Sequence, residues 1–302
     1  MERPLILHMF TPGAQMSPFD VNMAADAGYQ IVTPYCHVTL EAVTALTQDA
    51  IFSRGPKGVA RTGIFIGGRD VMLAADMLER ARKAMVPPFV VSVFADPSGA
   101  FTTAAALVAS VEAALRKQGG AGLAGRRVLL LGGTGPVGRI AGVLCAQCEA
   151  TAVIASHKGQ AAATIAARET GERFGVRLEA GSSASRDDLR AALAEADVVL
   201  GVAAAGVEVL SAADRAAAPR LAVVADVNAV PPAGIAGVGV MDDAKPLADS
   251  AVLGIGALAI GNVKYQVQHR LLVHMCGGHA KSLGFAEAFS VARDVLAGGE
   301  PG

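Results

Sequence analysis

The sequence predicts an α/β fold in two domains. Three observations lead there. Apolar, strand-like runs alternate with helical patterns along most of the chain, as in a parallel sheet covered by helices. The 302 residues are enough for two cores. A glycine-rich stretch, KQGGAGLAG at 117–125, separates two series of this alternation.

In the first series, strands are expected at Leu5–Phe10, Gln30–Thr33, Gly63–Ile66 and Phe89–Phe94. Helices are expected at Pro18–Ala27, Leu40–Thr47, Val71–Met85 and Thr102–Lys117. The first helix opens S-P-F-D. Ser17 reads as its N-cap, Pro18 as its first helical residue and Asp20 as the acid three after the cap. Gly119, Gly120, Gly122 and Gly125 stop the fourth helix and supply a hinge.

The second series places strands at Arg127–Leu131, Thr151–Ala155, Val176–Glu179, Val198–Val202 and Ala222–Ala225. Its helices fall at Gly138–Gln147, Gln160–Phe174, Arg186–Ala194 and Ser211–Ala217. After Gly254, Ile260, Val263, Val267, Leu271 and His274 share one helical face. The expected domains are therefore 1–118 and 119–261, with 262–302 crossing back onto the first.

Bulk properties exclude some functions. The 26 Lys and Arg against 27 Asp and Glu give a net charge of −1, no footprint for nucleic acid or an acidic membrane. The longest apolar run, AVLGIGALAIGNV at 251–263, is broken by glycine and is shorter than the ~18–20 residues of a membrane span. MERPLILHMF reads as a first strand rather than a secretion signal. Four cysteines make no disulfide framework, so a cytoplasmic setting is expected. Cys145 and Cys148 form C-x-x-C inside a helix, away from the N-terminus that would activate a thiol, and read as packing residues. HMCGGH, with His274, Cys276 and His279, is too thin a set for a metal, and none is expected.

VLLLGGTGPVGR at 128–139 carries the clearest chemistry. Gly133, Thr134, Gly135, Pro136, Val137 and Gly138 match G-x-G-x-x-G between an apolar strand and a helix, as dinucleotide binding requires. Gly133 would permit the tight turn, Gly135 the approach of the pyrophosphate and Gly138 the packing of helix on strand. The helix N-terminus would offer free N–H groups to phosphate. In order and spacing, this second unit resembles a Rossmann domain. The next strand of such a domain usually ends in an acid that binds the adenosine ribose. Here TAVIASHKGQ ends in Ser156, His157 and Lys158. That pocket would admit a 2′-phosphate, with Lys158 as its charged donor. NADP is therefore expected, with NAD also accepted.

The loops of the first series supply polar and aromatic candidates for a large heteroaromatic ligand with an acidic tail. These are Phe19 and Asp20, Tyr35 and His37, Arg54, Lys57 and Arg61, and Asp96, Ser98, Thr102 and Thr103. No Ser-His-Asp order or carboxylate pair points to a hydrolase.

Several blocks carry a resemblance. SPFDVNMAADAG, IFSRGPKGVARTGIFIGG, ADPSGAFTTAAA, GGTGPVG, DVNAVPPAGIAGV and GIGALAIGNVKYQ together resemble the methylene-tetrahydromethanopterin dehydrogenases of methylotrophic bacteria, closest to the NAD(P)-dependent type. The resemblance implies two α/β domains with a pterin in the cleft between them, and hydride transfer from the methylene carbon to nicotinamide during formaldehyde oxidation. The N–C–N cation left behind is delocalised, so no general base is needed at the reacting carbon. Catalysis would rest on positioning and exclusion of water. The resemblance also implies that Lys264 meets the substrate, as an anchor or electrostatic tuner. Phe19, Asp20, Tyr35, His37, Lys57, Ser98, Thr102 and Thr103 are the candidate pterin contacts. Ala203 and Asn228, with Pro231 and Pro232, would face the nicotinamide at the ends of the later Rossmann strands. Ala257, Gly261 and Asn262 would allow close approach. The family association implies a homo-oligomer. Two other functions fit the residues: the same transfer on methylene-tetrahydrofolate, and a non-catalytic NADP-binding sensor.

Overall fold

The computed structural model describes residues 3–248, 250–278 and 280–298. The chain forms two compact units. One holds the residues up to Thr102 together with Tyr265–Val291, and the other holds Thr103–Lys264 with Ala292–Gly298.

The first unit follows the order β1 (Ile6–Phe10), α1 (Pro18–Asp26), β2 (Ile31–Tyr35), α2 (Ala42–Phe52), α3 (Gly55–Val59), β3 (Thr62–Ile66), α4 (Val71–Ala84) and β4 (Ser92–Ala95). A single 3-10 turn, Pro97–Gly99, then leads into α5 (Ala100–Lys117). The five-stranded sheet runs β12-β4-β3-β1-β2, with β12 at Ser282–Leu283, and every pairing is parallel. Buried on both faces, its inner strands are continuous apolar runs. Leu7, Met9, Ile64, Phe65 and Phe94 are fully buried, and the Phe65 and Phe94 rings meet edge to face at 5.5 Å. Each such side chain contributes roughly 1.5–3 kcal/mol by leaving water. The edge strand β2 is partly exposed and tolerates Pro34.

The strand expected at Phe89–Phe94 is shorter and later. Pro87 and Pro88 turn the chain, with Phe89 N–H donating to Val86 O at 2.7 Å, so pairing starts only at Ser92. The helices α3 and α11 (Phe285–Leu296) are additions to the expected elements.

The second unit continues β5 (Arg127–Leu131), α6 (Pro136–Gln147), β6 (Thr151–Ser156), α7 (Gln160–Phe174), β7 (Glu179–Ser182), α8 (Arg186–Glu195), β8 (Val198–Gly201), α9 (Ala212–Ala216), β9 (Val223–Asp226), β10 (Lys245–Pro246) and β11 (Leu253–Ile255). Its sheet runs β10-β11-β9-β8-β5-β6-β7, parallel except for β10. From β7 through β5 to β11 this is the Rossmann order 3-2-1-4-5-6.

The strand expected at Val176–Glu179 lies at Glu179–Ser182 instead. Val176 belongs to the end of α7, where its N–H donates to Gly171 O at 3.1 Å behind the left-handed Gly175. The apolar run at 251–263 splits in two. Its first part is β11, and α10 (Ala257–Cys276) starts after Gly256, where a side chain would strike the Gly239 carbonyl.

The division between the units falls inside α5, α10 and α11, whereas the glycine stretch at 119–125 turns α5 into β5 within the second unit. The segment Pro97–Lys117 is long and apolar enough to cross a membrane, with a mean hydropathy of 1.4, yet 83% of that window is buried inside the fold.

Candidate active site

In the second unit the strand order reverses between β5 and β8. A doubly wound sheet opens a crevice for ligand at such a point. The loop after β5 supplies the glycines and the loop after β8 supplies Ala203. Gly132 is left-handed at φ +84, and a Cβ there would come 2.6 Å from the Ala203 Cα. The tight turn assigned to Gly133 therefore belongs to Gly132, which the G-x-G-x-x-G pattern leaves out. Gly133 instead lies over β6, where a Cβ would come 3.1 Å from the Ile154 Cα, and Gly138 packs on Gly133 so closely that a Cβ there would come 2.6 Å from the Gly133 Cα. At Gly135 a Cβ would meet only the Gly132 carbonyl, at 3.4 Å, so the loop is open there. Pro136 is the first residue of α6 after the Gly135 cap. The first turn of a helix leaves N–H groups without intrahelical acceptors. Open glycine surface below, helix N-terminus beside and no acid nearby in the loop fit a pyrophosphate. Arg139 braces the loop, donating to Thr134 O at 3.1 Å and to Thr170 Oγ1 at 3.1 Å.

The turn after β6 divides its labour. Ser156 is buried, and its Oγ accepts the Lys158 N–H at 3.1 Å. Its carbonyl accepts from Gly159 N at 3.1 Å and Ser183 N at 3.0 Å. His157 and Lys158 are exposed. Ser156 thus builds the turn, while the two residues after it are exposed.

Asn228 is 6% exposed. Its Oδ1 accepts from Gly206 N (3.1 Å) and Val230 N (2.9 Å), and its Nδ2 donates to Pro232 O (2.8 Å).

In the first unit the reversal point lies between β1 and β3. The loops there interlock: Gly67 N donates to Phe10 O at 2.9 Å, and a Cβ on Gly68 would touch the Pro12 ring at 3.0 Å. Tyr35 and His37 stand at the same carboxyl edge. Tyr35 places its hydroxyl 3.0 Å from His8 Nδ1 and its ring edge-on to Phe10. His37 is exposed and left-handed at φ 54. Ser98, exposed at φ 50, donates to Gly68 O at 2.9 Å. Phe19 is 48% exposed. Asp20 is buried, and no side-chain cap bond from Ser17 closes α1. Its Oδ1 instead accepts from Gln268 Nε2 of α10 at 2.7 Å.

Three expected contacts sit differently. Thr102 is fully buried and gives its hydroxyl to Asp96 Oδ2 at 2.6 Å. Asp96 Oδ1 also accepts the Phe101 and Thr102 N–H groups, so the pair caps α5. Thr103, half-buried, is the next residue of the same helix. Lys57 lies on α3, just before β3 starts, at the amino edge of the sheet and opposite to Tyr35, His37 and Ser98. Arg54 and Arg61 share that edge: Arg54 donates to Pro4 O at 3.0 Å and Arg61 O at 3.1 Å. A loop that enters a strand cannot stand at its carboxyl end, which excludes these three from the expected loop cluster. Lys264 is half-buried in the first half of α10, one turn before Gln268 on the same face.

Burial raises the Cys145 and Cys148 thiols, which suits packing rather than redox chemistry. Among the described residues no three His, Cys, Asp or Glu side chains group as a metal set, and His279 lies outside them. Gly132, Asp226 and Gln268 are structural partners that motif matching passes over. Asp96, expected as a loop candidate for the ligand, is instead the cap of α5.

Comparison with known proteins places the chain. A family described as methylene-tetrahydromethanopterin dehydrogenase, N-terminal, matches residues 18–98. The chain is 48% identical over 291 residues to the NAD(P)-dependent methylenetetrahydromethanopterin dehydrogenase of Methylorubrum extorquens, covering 96% of this chain and 98% of the relative. It is 32% identical over 290 residues to the bifunctional protein MdtA of the same organism, with the same coverage of 96% and 98%. Among solved structures it is similar to the ligand-free 5-ketofructose reductase of Gluconobacter, at a TM-score of 0.53 and 18% identity over 97% and 99% of the two chains. It is also similar to shikimate 5-dehydrogenase of Listeria monocytogenes, at 0.52 and 11% over 95% and 96%. Those identities speak for the fold alone. The chain belongs to the family of methylene-tetrahydromethanopterin dehydrogenases.

Proposed function

We propose that this protein oxidises methylene-tetrahydromethanopterin to its methenyl form with NAD(P)+ as hydride acceptor. One observation carries the reading: a glycine loop at the reversal point of a Rossmann-ordered sheet, in a chain 48% identical along its length to a dehydrogenase of that name. When bound, the nicotinamide supplies the hydride acceptor. The protein's part is to hold and orient. Gly132–Gly138 and the α6 N-terminus receive the pyrophosphate, and His157 and Lys158 meet the ribose substituent, which favours NADP while admitting NAD. The carboxyl edge of the first sheet, with Phe19, Asp20, Tyr35, His37 and Ser98, receives the pterin. Lys264 anchors it. No side chain need take a proton from the reacting carbon, because hydride departure leaves a delocalised cation; orientation lowers the barrier. We further infer a cytoplasmic, self-associating enzyme. The four unpaired cysteines suit a reducing compartment, and the exposed Phe52 and Val86 suit a partner surface.

Appearance of reduced nicotinamide, followed by absorbance, tests the reading with methylene-tetrahydromethanopterin, methylene-tetrahydrofolate and each nicotinamide. Turnover with the methanopterin substrate is expected. Turnover only with the folate would reassign the substrate, and none with either would leave a binding protein. Lys264→Ala is expected to lower kcat/KM for the pterin about a hundredfold, as loss of one charged contact at the reacting group does. Unchanged kinetics would remove Lys264 from the site.

A further inference from the structure

Asn228 directs both ends of its amide into the protein: two N–H groups on its oxygen, and its nitrogen on a carbonyl. These partners belong to two loops, 202–211 after β8 and 227–235 after β9. Beneath it, the last residue of β9 also turns its polar atoms inward, onto the β9 loop alone. Asp226 is 2% exposed. Its Oδ1 accepts from Asn228 N at 2.9 Å and its Oδ2 from Ile235 N at 3.1 Å. The space is kept for this carboxylate, since a Cβ at Gly234 would come 2.7 Å from Oδ1 and one at Gly201 3.3 Å. Burial raises the Asp226 carboxyl, and the N–H groups of Asn228, Ile235 and Gly234 oppose that rise. The backbones also stitch together, with Val209 N donating to Gly234 O at 2.7 Å and Ala236 N to Leu210 O at 2.9 Å.

We propose that Asp226 and Asn228 are positioning residues for the nicotinamide end of the cofactor: Asn228 ties the loop after β8 to the loop after β9, and Asp226 folds the β9 loop beneath it, so that the two loops form one wall. This rests on the dehydrogenase reading above. The clamp turns these polar groups inward and leaves Val207 and Val230, 48% and 51% exposed, on the outside. Such a rim suits the face of a flat ring whose charge is spread over its atoms, and not a phosphate. The same wall carries Ala203, whose backbone fills the space beside Gly132, so its position is referred to the pyrophosphate loop. Asn228 then acts through the loops it holds, in place of the direct nicotinamide contact expected of it.

The test compares two ligands by calorimetric titration of the full-length protein. NADP+ carries the nicotinamide, and 2′-phospho-ADP-ribose lacks it. In Asp226→Asn and Asn228→Ala, the NADP+ Kd is expected to rise and kcat to fall, each about tenfold, while the 2′-phospho-ADP-ribose Kd stays within about twofold. Asn228→Asp keeps the acceptor for Gly206 and Val230 and is expected to recover part of the loss. Equal weakening of both ligands, or unchanged NADP+ binding and turnover, would overturn the proposal. Should Asp226→Asn not fold, Asn228→Ala at the loop tips decides alone. Wild-type protein that binds neither ligand would overturn the dehydrogenase reading instead, an outcome distinct from failure of the clamp.

Discussion

Ser156, His157 and Lys158 show how far neighbouring residues can differ in role. Ser156 is held within the turn, so under the proposed function selectivity between nicotinamides is assigned to the two exposed residues. Reversing the charge at Lys158 places a carboxylate where a 2′-phosphate would sit. Lys158→Glu is expected to raise the KM for NADP at least about tenfold and to leave that for NAD nearly unchanged, because only the phosphate adds charge there. Equal effects on both, in steady-state kinetics, would show that Lys158 faces only water. The residues were legible in the sequence, but their division of labour was not. A serine and a lysine two apart look alike to a motif, and only the 3.1 Å bond from Lys158 N–H to Ser156 Oγ separates scaffold from contact. Thr102 shows the same limit. Its hydroxyl looks available in ADPSGAFTT, yet Asp96 takes it.

Among the elements, the strands with continuous apolar runs were the most legible. β1, β3, β5, β8 and β9 are central in their sheets, and burial on both faces leaves them little else to be. β7 lies later than expected because the alternating Val-Arg-Leu after a helix resembles a strand start, while Gly175 makes it a helix stop. The amino-edge position of Lys57 was hidden because a loop's edge depends on whether it leaves or enters a strand, and α3 had not been anticipated. β1 also carries an ionisable group in its middle. Burial lowers the His8 pKa, and the Arg54 charge adds to that. The folded state therefore keeps His8 neutral to a lower pH than the unfolded chain, which takes up a proton near about 6.5. Its contribution is full above that pH and is lost as pH falls through the lower folded value. The thermal stability of the wild type should fall between about pH 7.5 and pH 5.5, and His8→Gln should flatten that slope. An identical slope in the variant would place the titration elsewhere.

For the molecule as a whole, the positive mean hydropathy of +0.44 is explained by burial: α5 and the sheet strands spend their apolar surface inside. The two-unit α/β plan was readable from alternation alone. The division inside α5, α10 and α11 was not, because a helix that belongs to two units keeps one uninterrupted periodicity. Binding at a preformed glycine cradle should stabilise the whole folded chain. NADP+ at about a hundredfold its Kd is expected to add about 2.7 kcal/mol, seen as an upward shift of the calorimetric transition. No shift at saturating nucleotide would mean that the cradle does not bind it. The turn after β6 has one more consequence. Its shape is written in Ser156 and the surrounding backbone, while the residues that would discriminate between cofactors are passengers on it. On the proposed reading, cofactor choice can therefore be altered at two side chains without disturbing the scaffold that carries them.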